Sequence, residues 1–427
     1  MVKPEYKQTE IGILPEEWVA ISFEDCFSVL PNNTLSRAEL NGNGGEIRNI
    51  HYGDILVKYP AVLDCFSENL PYINEANTAK ASKGFLRDGD LIMADTAEDT
   101  IVGKSTEVIS VGDSKVVSGL HTIPCRPKNA DMFAPKWLGY FINHNAYHDQ
   151  LIPYITGIKV SSVSKSAISS TVIAVPPKPE QEAIAAALSD MDELIANLEK
   201  LIAKKKAIKQ GAMQELLTGR RRLPGFSGEW KTGVWDDVVS GFSSGATPYR
   251  GVPSYYNGQI RWVSSGELKY NVILDTIEHI SSEAMEKTSL TIHPAGTFLM
   301  AITGLEAAGT RGSCAILGAP STTNQSCMAI YGTEKMCTSF LFHYYSLFGD
   351  ELALKYCQGT KQQSYTASIV KTLPITYPTD ITEQVAIVEI LNSMDTEIDN
   401  LEKKLSKYKY IESGMMSELL TGRIRLV

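Results

Sequence analysis

Apolar residues recur at alternating spacings of three and four in two long stretches of the chain. In the later stretch they are Leu391, Met394, Ile398, Leu401, Leu405, Tyr408, Met415 and Leu419, with Glu412 interrupting the series. In the earlier stretch they are Leu188, Met191, Ile195, Leu198, Ile202 and Leu216, with Lys205 and Lys209 interrupting it. This is the spacing of an a/d heptad seam, so each stretch predicts a coiled-coil helix of roughly 35 residues, about 50 Å long.

The two helical stretches are copies of one another. Residues 181–223 return at 384–426 with a constant offset of 203 positions, and about 24 of the 43 paired residues are identical. The residues that flank the two stretches also mark the beginning and the end of a helix. Pro176, Pro177 and Pro179 precede the first helix, Pro378 precedes the second, and Gly219 and Gly422 follow as C-caps.

Two heptad helices could be duplicated only to clasp each other for stability. Packing, however, requires only apolar seam positions and leaves the exterior positions free to drift. The exterior matches are Asn197 with Asn400, Glu199 with Glu402, and Lys200 with Lys403. These matches favour a different interpretation, in which the two copies present two equal docking surfaces to a partner.

The remaining segments, residues 1–175 and 225–377, match each other only weakly. Short β-type runs, such as Asp90–Ala94 and Thr297–Ile302, alternate with helical stretches at 135–151 and 338–356. The predicted fold class is therefore α+β, with two mixed α/β domains separated by helical segments at 176–224 and 378–427. Antiparallel helices let Arg220 continue directly into the second domain, which predicts a pseudo-two-fold, circular arrangement.

Composition narrows the class of protein. A chain of 427 residues exceeds the usual size of one core. No apolar run approaches the roughly 18 residues of a membrane span, and the first residues lack a secretory core, which predicts a cytoplasmic protein without a membrane partner. The seven scattered cysteines predict reduced thiols. The net charge of −9 argues mildly against DNA binding, although charge can be local and a partner can supply positive field.

Several motifs resemble catalytic sites without completing them. Glu98–Ser105 places Glu98 where a phosphate-binding loop needs its first glycine. His144 and His148 lack a third metal ligand, and the Ser118–His121 segment lacks the context of a hydrolase nucleophile. The chain is therefore predicted to be non-enzymatic, with no catalytic, cofactor-binding or metal-binding residues of its own.

DNA contact is predicted on loops that combine hydrogen-bond donors with stacking surfaces. The basic cluster Lys204–Lys206, Lys209 and Arg220–Arg222 is a further candidate, with a solvated helix face as the alternative. Each of these loop residues could instead have a structural role and make no contact with DNA. The candidates are His51, Tyr52, Lys159, Arg261, Trp262, Ser264, Lys269, Tyr270, Lys361, Gln362, Gln363, Ser364 and Tyr365.

The doubled helix ends resemble the conserved regions of type I restriction-modification specificity subunits. The resemblance rests on Pro176–Gln181 and Glu215–Arg220, repeated at Glu383–Gln384 and Glu418–Arg423, and on Lys7–Gly12 with Trp18, Asn324–Gln325 and Gly359–Lys361. It implies that residues 1–175 and 225–377 are target recognition domains, each reading half of a split, asymmetric double-stranded DNA target.

The resemblance also implies two modification subunits and two restriction subunits as partners, which would carry S-adenosylmethionine, ATP and magnesium. Two alternatives remain open. The chain could serve a related restriction system with a fused methylase-nuclease partner, or it could be a coiled-coil scaffold that does not bind DNA.

Overall fold

The computed structural model describes residues 5–157, 159–306, 309–359 and 363–426. The chain divides into two compact units. Unit 1 comprises Met1–Glu199 with Lys404–Val427, and unit 2 comprises Lys200–Lys403. Each long helix therefore contributes one half to each unit.

Unit 1 contains short strands, short helices and the beginning of the first long helix. Its strands are β1 (Tyr6–Thr9), β2 (Gly12–Pro15), β3 (Val19–Ser22), β4 (Phe27–Val29), β5 (Leu40–Asn41), β6 (Ile47–Ile50), β7 (Val62–Asp64), β8 (Tyr72–Ile73), β9 (Leu91–Ala94), β10 (Thr96–Ala97), β11 (Ser105–Ile109), β12 (Lys115–Ser118), β13 (Thr122–Pro127), β14 (Ser161–Ser162) and β15 (Val172–Val175). Its helices are α1 (Phe23–Cys26), α2 (Tyr52–Val57), α3 (Trp137–Asn143), α4 (Asn145–His148), α5 (Lys165–Ser169) and the long α6 (Lys178–Leu216).

Unit 2 is built from fewer elements of the same kinds. Its strands are β16 (Trp230–Val234), β17 (Ser240–Ser244), β18 (Ile260–Val263), β19 (Asn271–Ile273), β20 (Glu278–Ile280), β21 (Phe298–Ala301), β22 (Cys314–Leu317), β23 (Thr322–Thr323), β24 (Cys327–Tyr331) and β25 (Pro374–Pro378). Its helices are α7 (Ser282–Lys287), α8 (Thr338–Tyr356), α9 (Ala367–Lys371) and the long α10 (Ile381–Leu419).

The two units share one sheet topology. The larger sheet has the strand order β4-β13-β9-β11-β7 in unit 1 and β17-β24-β21-β22-β19 in unit 2, and only the last pair of each is parallel. The smaller sheet contains β12-β6-β8 in unit 1, extended by β5, and β23-β18-β20 in unit 2. The weak sequence match between the domains therefore conceals a duplicated fold, which confirms the predicted α+β class.

The long helices run antiparallel, as predicted. In unit 1, Ile184 and Leu188 from the start of α6 share a core with Leu419 and Leu420, at and just beyond the end of α10. In unit 2 the opposite ends meet, because Leu216 of α6 is buried with Ile387 and Leu391 of α10. Both helices lie inside the predicted segments 176–224 and 378–427.

A buried carboxylate anchors each pair of helix ends. In unit 1, Glu180 is fully buried, and its two oxygens accept hydrogen bonds from Arg425 at 2.5 and 2.8 Å. In unit 2, Glu383 is equally buried and accepts two hydrogen bonds from Arg222 at 2.6 and 2.7 Å. The pairs correspond at the offset of 203 positions. Each arginine lies just beyond one helix and binds a glutamate at the start of the other.

A buried glutamine follows each of these glutamates and fixes the recognition domain to its helix. The Gln181 side chain accepts from Ala134 N at 2.8 Å and donates to the carbonyl oxygens of Met132 and Pro176. Gln384 makes the equivalent bonds to Cys337 N, Lys335 O and Pro378 O. The Glu-Gln pair in each copy is thus a structural joint, because it satisfies the backbone groups that precede α3 and α8.

The two halves of the seam carry different charges at one pair of facing positions. Lys209 and Asp395 form an ion pair in unit 2, but Glu412 and Asp192 occupy the corresponding positions in unit 1. Tyr140 also donates a hydrogen bond to Asp192 at 2.6 Å. Burial and the neighbouring Asp192 carboxylate raise the pKa of Glu412 to about 7, while Lys409 opposes the shift and Glu199 adds to it. Glu412 therefore takes up a proton near neutral pH beside the Asp192 carboxylate.

Removing Arg425 should destabilise unit 1 because Glu180 stays buried and, among the described residues, its side chain keeps only the hydrogen bond from the indole N–H of Trp18. We expect Arg425→Ala to lower the free energy of unfolding by about 3 kcal/mol in urea denaturation. Arg423→Ala is the matched control, since Arg423 forms an exposed pair with Glu418 and should cost under about 0.5 kcal/mol. Equal losses in the two variants would contradict the anchoring role.

Replacing Glu412 should have a pH-dependent effect on stability. A carboxyl whose pKa rises from 4.5 to about 7 on folding takes up a proton, so the wild-type chain loses stability as the pH climbs through this window. Glu412→Gln should therefore raise the thermal midpoint by about 1–3 °C at pH 8 and leave it almost unchanged at pH 5. Exposed Glu193→Gln on α6 is the control. A gain that is the same at both pH values would exclude a raised pKa of Glu412.

Candidate nucleic-acid interface

A second repeat marks the recognition domains. Gly45-Glu-Ile-Arg-Asn-Ile-His-Tyr-Gly-Asp54 and Gly258-Gln-Ile-Arg-Trp-Val-Ser-Ser-Gly-Glu267 match at an offset of 213 positions. They form β6 and β18 with the turns that follow. Several predicted DNA contacts come from these two segments. The residue spacing that the segments share could have shown from sequence that they are equivalent elements of the two domains.

Part of this motif serves the fold. The Asp54 carboxylate accepts hydrogen bonds from two guanidinium nitrogens of Arg37, at 2.5 and 2.7 Å. Glu267 accepts from the backbone N–H of Ser264 at 2.8 Å and of Ile277 at 2.9 Å. The acidic residue that ends the motif therefore holds the surrounding fold in each domain, Asp54 by binding the Arg37 side chain and Glu267 by binding backbone N–H groups.

In unit 1, four chain segments meet beyond the ends of β6 and β12. The backbone of Gly119 bonds to Ile50 at 2.9 Å, which joins the two strand ends. The Tyr52 ring lies 4.7 Å from the His51 ring and 5.2 Å from the His121 ring, centroid to centroid. His121 Nδ1 is 3.3 Å from Thr96 Oγ1. Residues far apart in sequence thus form one polar, aromatic surface.

The fourth segment is the loop that contains Lys159. Thr96 pairs with Ser162 in the β10-β14 ladder, and the exposed Lys159 lies three residues before this serine. The fold therefore brings Tyr52 beside the β10-β14 ladder that the Lys159 segment enters. His51 is 8% exposed and its Nδ1 accepts a hydrogen bond from Gly53 N at 3.2 Å, so its side chain supports the turn from inside.

Sequence reasoning missed Thr96 and His121. His121 has a positive φ of 54° and a side chain that is 46% exposed, so its ring projects from a tight turn.

Unit 2 assembles the corresponding segments with different side chains. Asn324 N bonds to Val263 O at 2.9 Å, the equivalent of the bond from Gly119 to Ile50. Ser264 follows β18, the exposed Gln325 accepts a hydrogen bond from Thr247 at 2.5 Å, and Thr303 bridges to Ser364. The two domains therefore present one framework with different chemistry: histidine and tyrosine in unit 1, serine, threonine and glutamine in unit 2.

Two predicted DNA contacts are wrong because their rings are buried. Trp262 is 2% exposed, and its indole N–H donates to Ala246 O at 3.0 Å. Tyr365 is 3% exposed and belongs to the main core of unit 2. Burial keeps both rings from a DNA surface.

The other predicted contacts remain predictions. Arg261 and His279 share the carboxylate of Asp275, at 3.2 and 2.9 Å. Lys269 is exposed, and Tyr270 donates to Arg311 O at 3.2 Å. The Gln363 backbone accepts from Leu305 N, next to the Thr303–Ser364 bridge. Lys361 and Gln362 lie outside the described residues.

The matched exterior residues of the helices differ in their contacts. Glu199 pairs with Lys409 at 2.6 Å in unit 1, and Glu402 pairs with Lys206 at 2.6 Å in unit 2. The identity of these glutamates therefore has a structural cause, an ion pair between the two long helices. Asn197, Lys200, Asn400 and Lys403 are exposed and remain predicted docking residues.

Most of the basic cluster is neutralised within the chain. Lys205 pairs with Glu397, Lys206 with Glu402, and Lys209 with Asp395, while Arg222 pairs with Glu383 and Arg221 with Glu215. The solvated-face interpretation therefore gains weight for this cluster. All seven cysteines are free thiols, and no helix in the described ranges is long and apolar enough to cross a membrane.

Duplicated α/β domains on paired long helices, with loop surfaces of unlike chemistry, define a class of modular recognition subunit. The profile of the family described as "Type I restriction modification DNA specificity domain" matches residues 15–210 and 227–409. The chain therefore belongs to this family and is a type I restriction-modification specificity subunit, as the resemblance predicted.

Curated relatives agree. The chain is 23% identical to the putative type I restriction enzyme MjaX specificity subunit of Methanocaldococcus jannaschii, with 99% of this chain and 97% of that protein covered. It is also 23% identical to the EcoR124I/EcoR124II specificity subunit of Escherichia coli, over 42% of this chain and 44% of that protein.

Solved structures share the fold. The S subunit of the type I system from M. genitalium matches with a TM-score of 0.58 and 12% identity, covering 94% of this chain and 96% of that one. A second chain matches with a TM-score of 0.57 and 16% identity, covering 96% and 99%. The structure that contains it concerns complex assembly and conformational transition of the type I restriction-modification system.

Proposed function

We propose that the chain reads a split, asymmetric DNA target, with one half-site contacted by each recognition domain. The observation that carries this proposal is the pair of equivalent loop clusters with unlike side chains. Histidine, tyrosine and lysine on one side, and glutamine, serine and threonine on the other, suit different base edges and phosphates. Two domains with the same framework but different donors and acceptors would read two half-sites of different sequence.

In the same proposal, the long helices hold two modification subunits that methylate adenine, and the full complex adds two restriction subunits. The likeness to a chain whose structure concerns complex assembly of a type I system supports a role in assembly. S-adenosylmethionine, ATP and magnesium would belong to those partners. A partner with fused methylase and nuclease activities would use the same recognition surfaces, and the neighbouring genes distinguish the two arrangements. The family membership weighs against a scaffold that does not bind DNA.

The clusters make a specific prediction about target choice. With the chain co-expressed with its modification partner, His121→Asn should change or relax one half-site, because it removes the imidazole but keeps a residue that tolerates positive φ. Gln325→Ala should affect only the other half-site. Genome-wide mapping of methylated adenines measures both effects. If either variant altered both half-sites together, or if both altered the same one, the assignment of one domain to one half-site would fail.

DNA affinity should depend on the partners. The chain carries a net charge of −9, and most of its densest basic cluster is paired internally. We expect the purified chain to bind its target weakly and the complex with two modification subunits to bind at least about tenfold more tightly, with a steeper salt dependence. Titrations at several salt concentrations test this expectation. Equal affinity and equal salt slopes would refute it.

A further inference from the structure

Each recognition domain holds one apolar side chain almost fully in solvent, on an equivalent loop. The loop leaves the parallel edge strand of the larger sheet and enters the smaller sheet. It spans residues 65–71 between β7 and β8 in unit 1, and residues 274–277 between β19 and β20 in unit 2. We call each an edge loop. Phe66 is 86% exposed and Ile277 is 84% exposed, and among the described residues only Val57 is a large apolar residue with an equally exposed side chain.

An equivalent arginine holds each edge loop. In unit 1, Arg48 of β6 donates a hydrogen bond to Cys65 O, at the first residue of the loop, at 2.5 Å. In unit 2, Arg261 of β18 donates to Asp275 Oδ1, at the second residue of the loop, at 3.2 Å. The two arginines occupy the same place in the second repeat, at the offset of 213 positions. The repeat that contributes to the candidate DNA surface therefore also positions the edge loops.

The edge loop of unit 1 borders the candidate DNA surface. Strand β8 runs antiparallel to β6, so the residues before β8 lie alongside those that end β6. Asn49 N donates to Pro71 O at 2.8 Å, at the end of the loop. Ile50, the last residue of β6, shares a buried cluster with Cys65 and Leu70. The loop therefore packs against the strand end at which the candidate surface begins.

The edge loop of unit 2 has the same neighbour. Ile277 N donates to Glu267 Oε1 at 2.9 Å, and Thr276 Oγ1 accepts from Trp262 N at 3.2 Å. The other carboxylate oxygen of Glu267 accepts from Ser264 N at 2.8 Å. One glutamate thus joins the backbone of Ile277 to the turn that carries Ser264, which is a predicted DNA contact.

The backbone around Phe66 is fixed on both sides. Cys65 N donates to Ile109 O at 2.9 Å, Phe66 N donates to Asp64 Oδ1 at 2.9 Å, and Glu68 N donates to Asp64 O at 3.0 Å. A loop held in this way keeps the ring in water, which forgoes the free energy of burying it. A side chain that is already in place loses little conformational freedom when it binds. The arrangement is therefore suited to a preformed contact.

The charges of the edge loops favour DNA as the occupant. Glu68 pairs with Lys58 at 2.6 Å, and Asp275 is bound by both Arg261 and His279. These carboxylates are therefore neutralised within their own domain and do not repel phosphates. A protein partner fits less well at Phe66, because the next three residues of the loop are polar and the core of a protein interface is depleted of charged groups.

We propose that Phe66 and Ile277 are apolar wedges, each inserted into a base-pair step beside the half-site that its domain contacts. The proposal rests on the proposed function and adds DNA shape to what the subunit reads. Phenylalanine and isoleucine are side chains that DNA-bending proteins use to unstack a step and kink the duplex. Pyrimidine–purine steps unstack most easily. A wedge therefore selects for such a step without a hydrogen bond to its base edges.

The test uses the complex of the chain with its modification subunits and a short synthetic duplex that carries the target found by methylation mapping. Phe66→Ala and Ile277→Ala should each weaken binding about tenfold. The salt dependence should stay the same, because no phosphate contact is lost. Energy transfer between dyes at the two duplex ends should report a smaller bend for each variant. Phe66→Leu keeps an apolar wedge and should retain most of the affinity and the bend.

Leu354→Ala is the matched control, because Leu354 is an exposed apolar residue on α8, which packs on β21 and β22 of the larger sheet. It should leave DNA affinity and bend unchanged, and all three alanine variants should keep the wild-type thermal midpoint because the side chains are exposed.

Three results would overturn the wedges and leave the proposed function standing. The first is wild-type affinity and bend in either Phe66→Ala or Ile277→Ala. The second is a loss of affinity with an unchanged bend. The third is a loss of modification-subunit binding in mass photometry, which would assign these side chains to a protein contact. If the wild-type complex binds its target no better than an unrelated duplex, the proposed function itself fails.

Discussion

The arrangement depends on a buried ion pair made twice. Glu180 and Glu383 each begin a long helix, are removed from water, and are balanced by an arginine beyond the end of the other helix, Arg425 or Arg222. An unpaired buried carboxylate is strongly unfavourable, so each glutamate requires the antiparallel partner in register. The adjacent Gln181 and Gln384 transmit this register to the recognition domains, since they bond to the backbone that precedes α3 and α8.

This joint separates what must stay constant from what can vary. The helices, the Glu-Gln pairs and the sheet order are the same in both units, and the strand ends meet through equivalent backbone bonds from Gly119 and Asn324. Because backbone groups make these bonds, the side chains beyond the strand ends are free to differ. His121 and Gln325 can therefore change without disturbing the framework, which is the property that a subunit with two different half-sites requires.

The sequence was most informative where residues interact at helical spacing. The heptad spacing within the 203-residue repeat predicted both long helices, because seam positions are local, and the short connection after Arg220 predicted their antiparallel packing. Strands of two to six residues gave no comparable signal, and long-range pairing set the sheet order. For the site, Tyr52 and Lys159 were predicted, but Thr96 and His121 join them only through tertiary folding. Trp262 was wrongly predicted to contact DNA together with its neighbour Arg261. Successive side chains of a strand point to opposite faces, so the two residues could not both lie on the same face.

Charge distribution connects the scaffold to DNA recognition. A cluster of lysines and arginines on α6 and beyond it would ordinarily suggest phosphate binding. Here Lys205, Lys206 and Lys209 pair with acidic residues of α10. These cations therefore stabilise the helix pair and are not free to displace counterions from DNA. An acidic chain whose densest basic cluster serves its own scaffold has fewer cations left for phosphate contacts. Docked partners can supply that positive surface, which would couple DNA affinity to assembly while base selection stays with the loops.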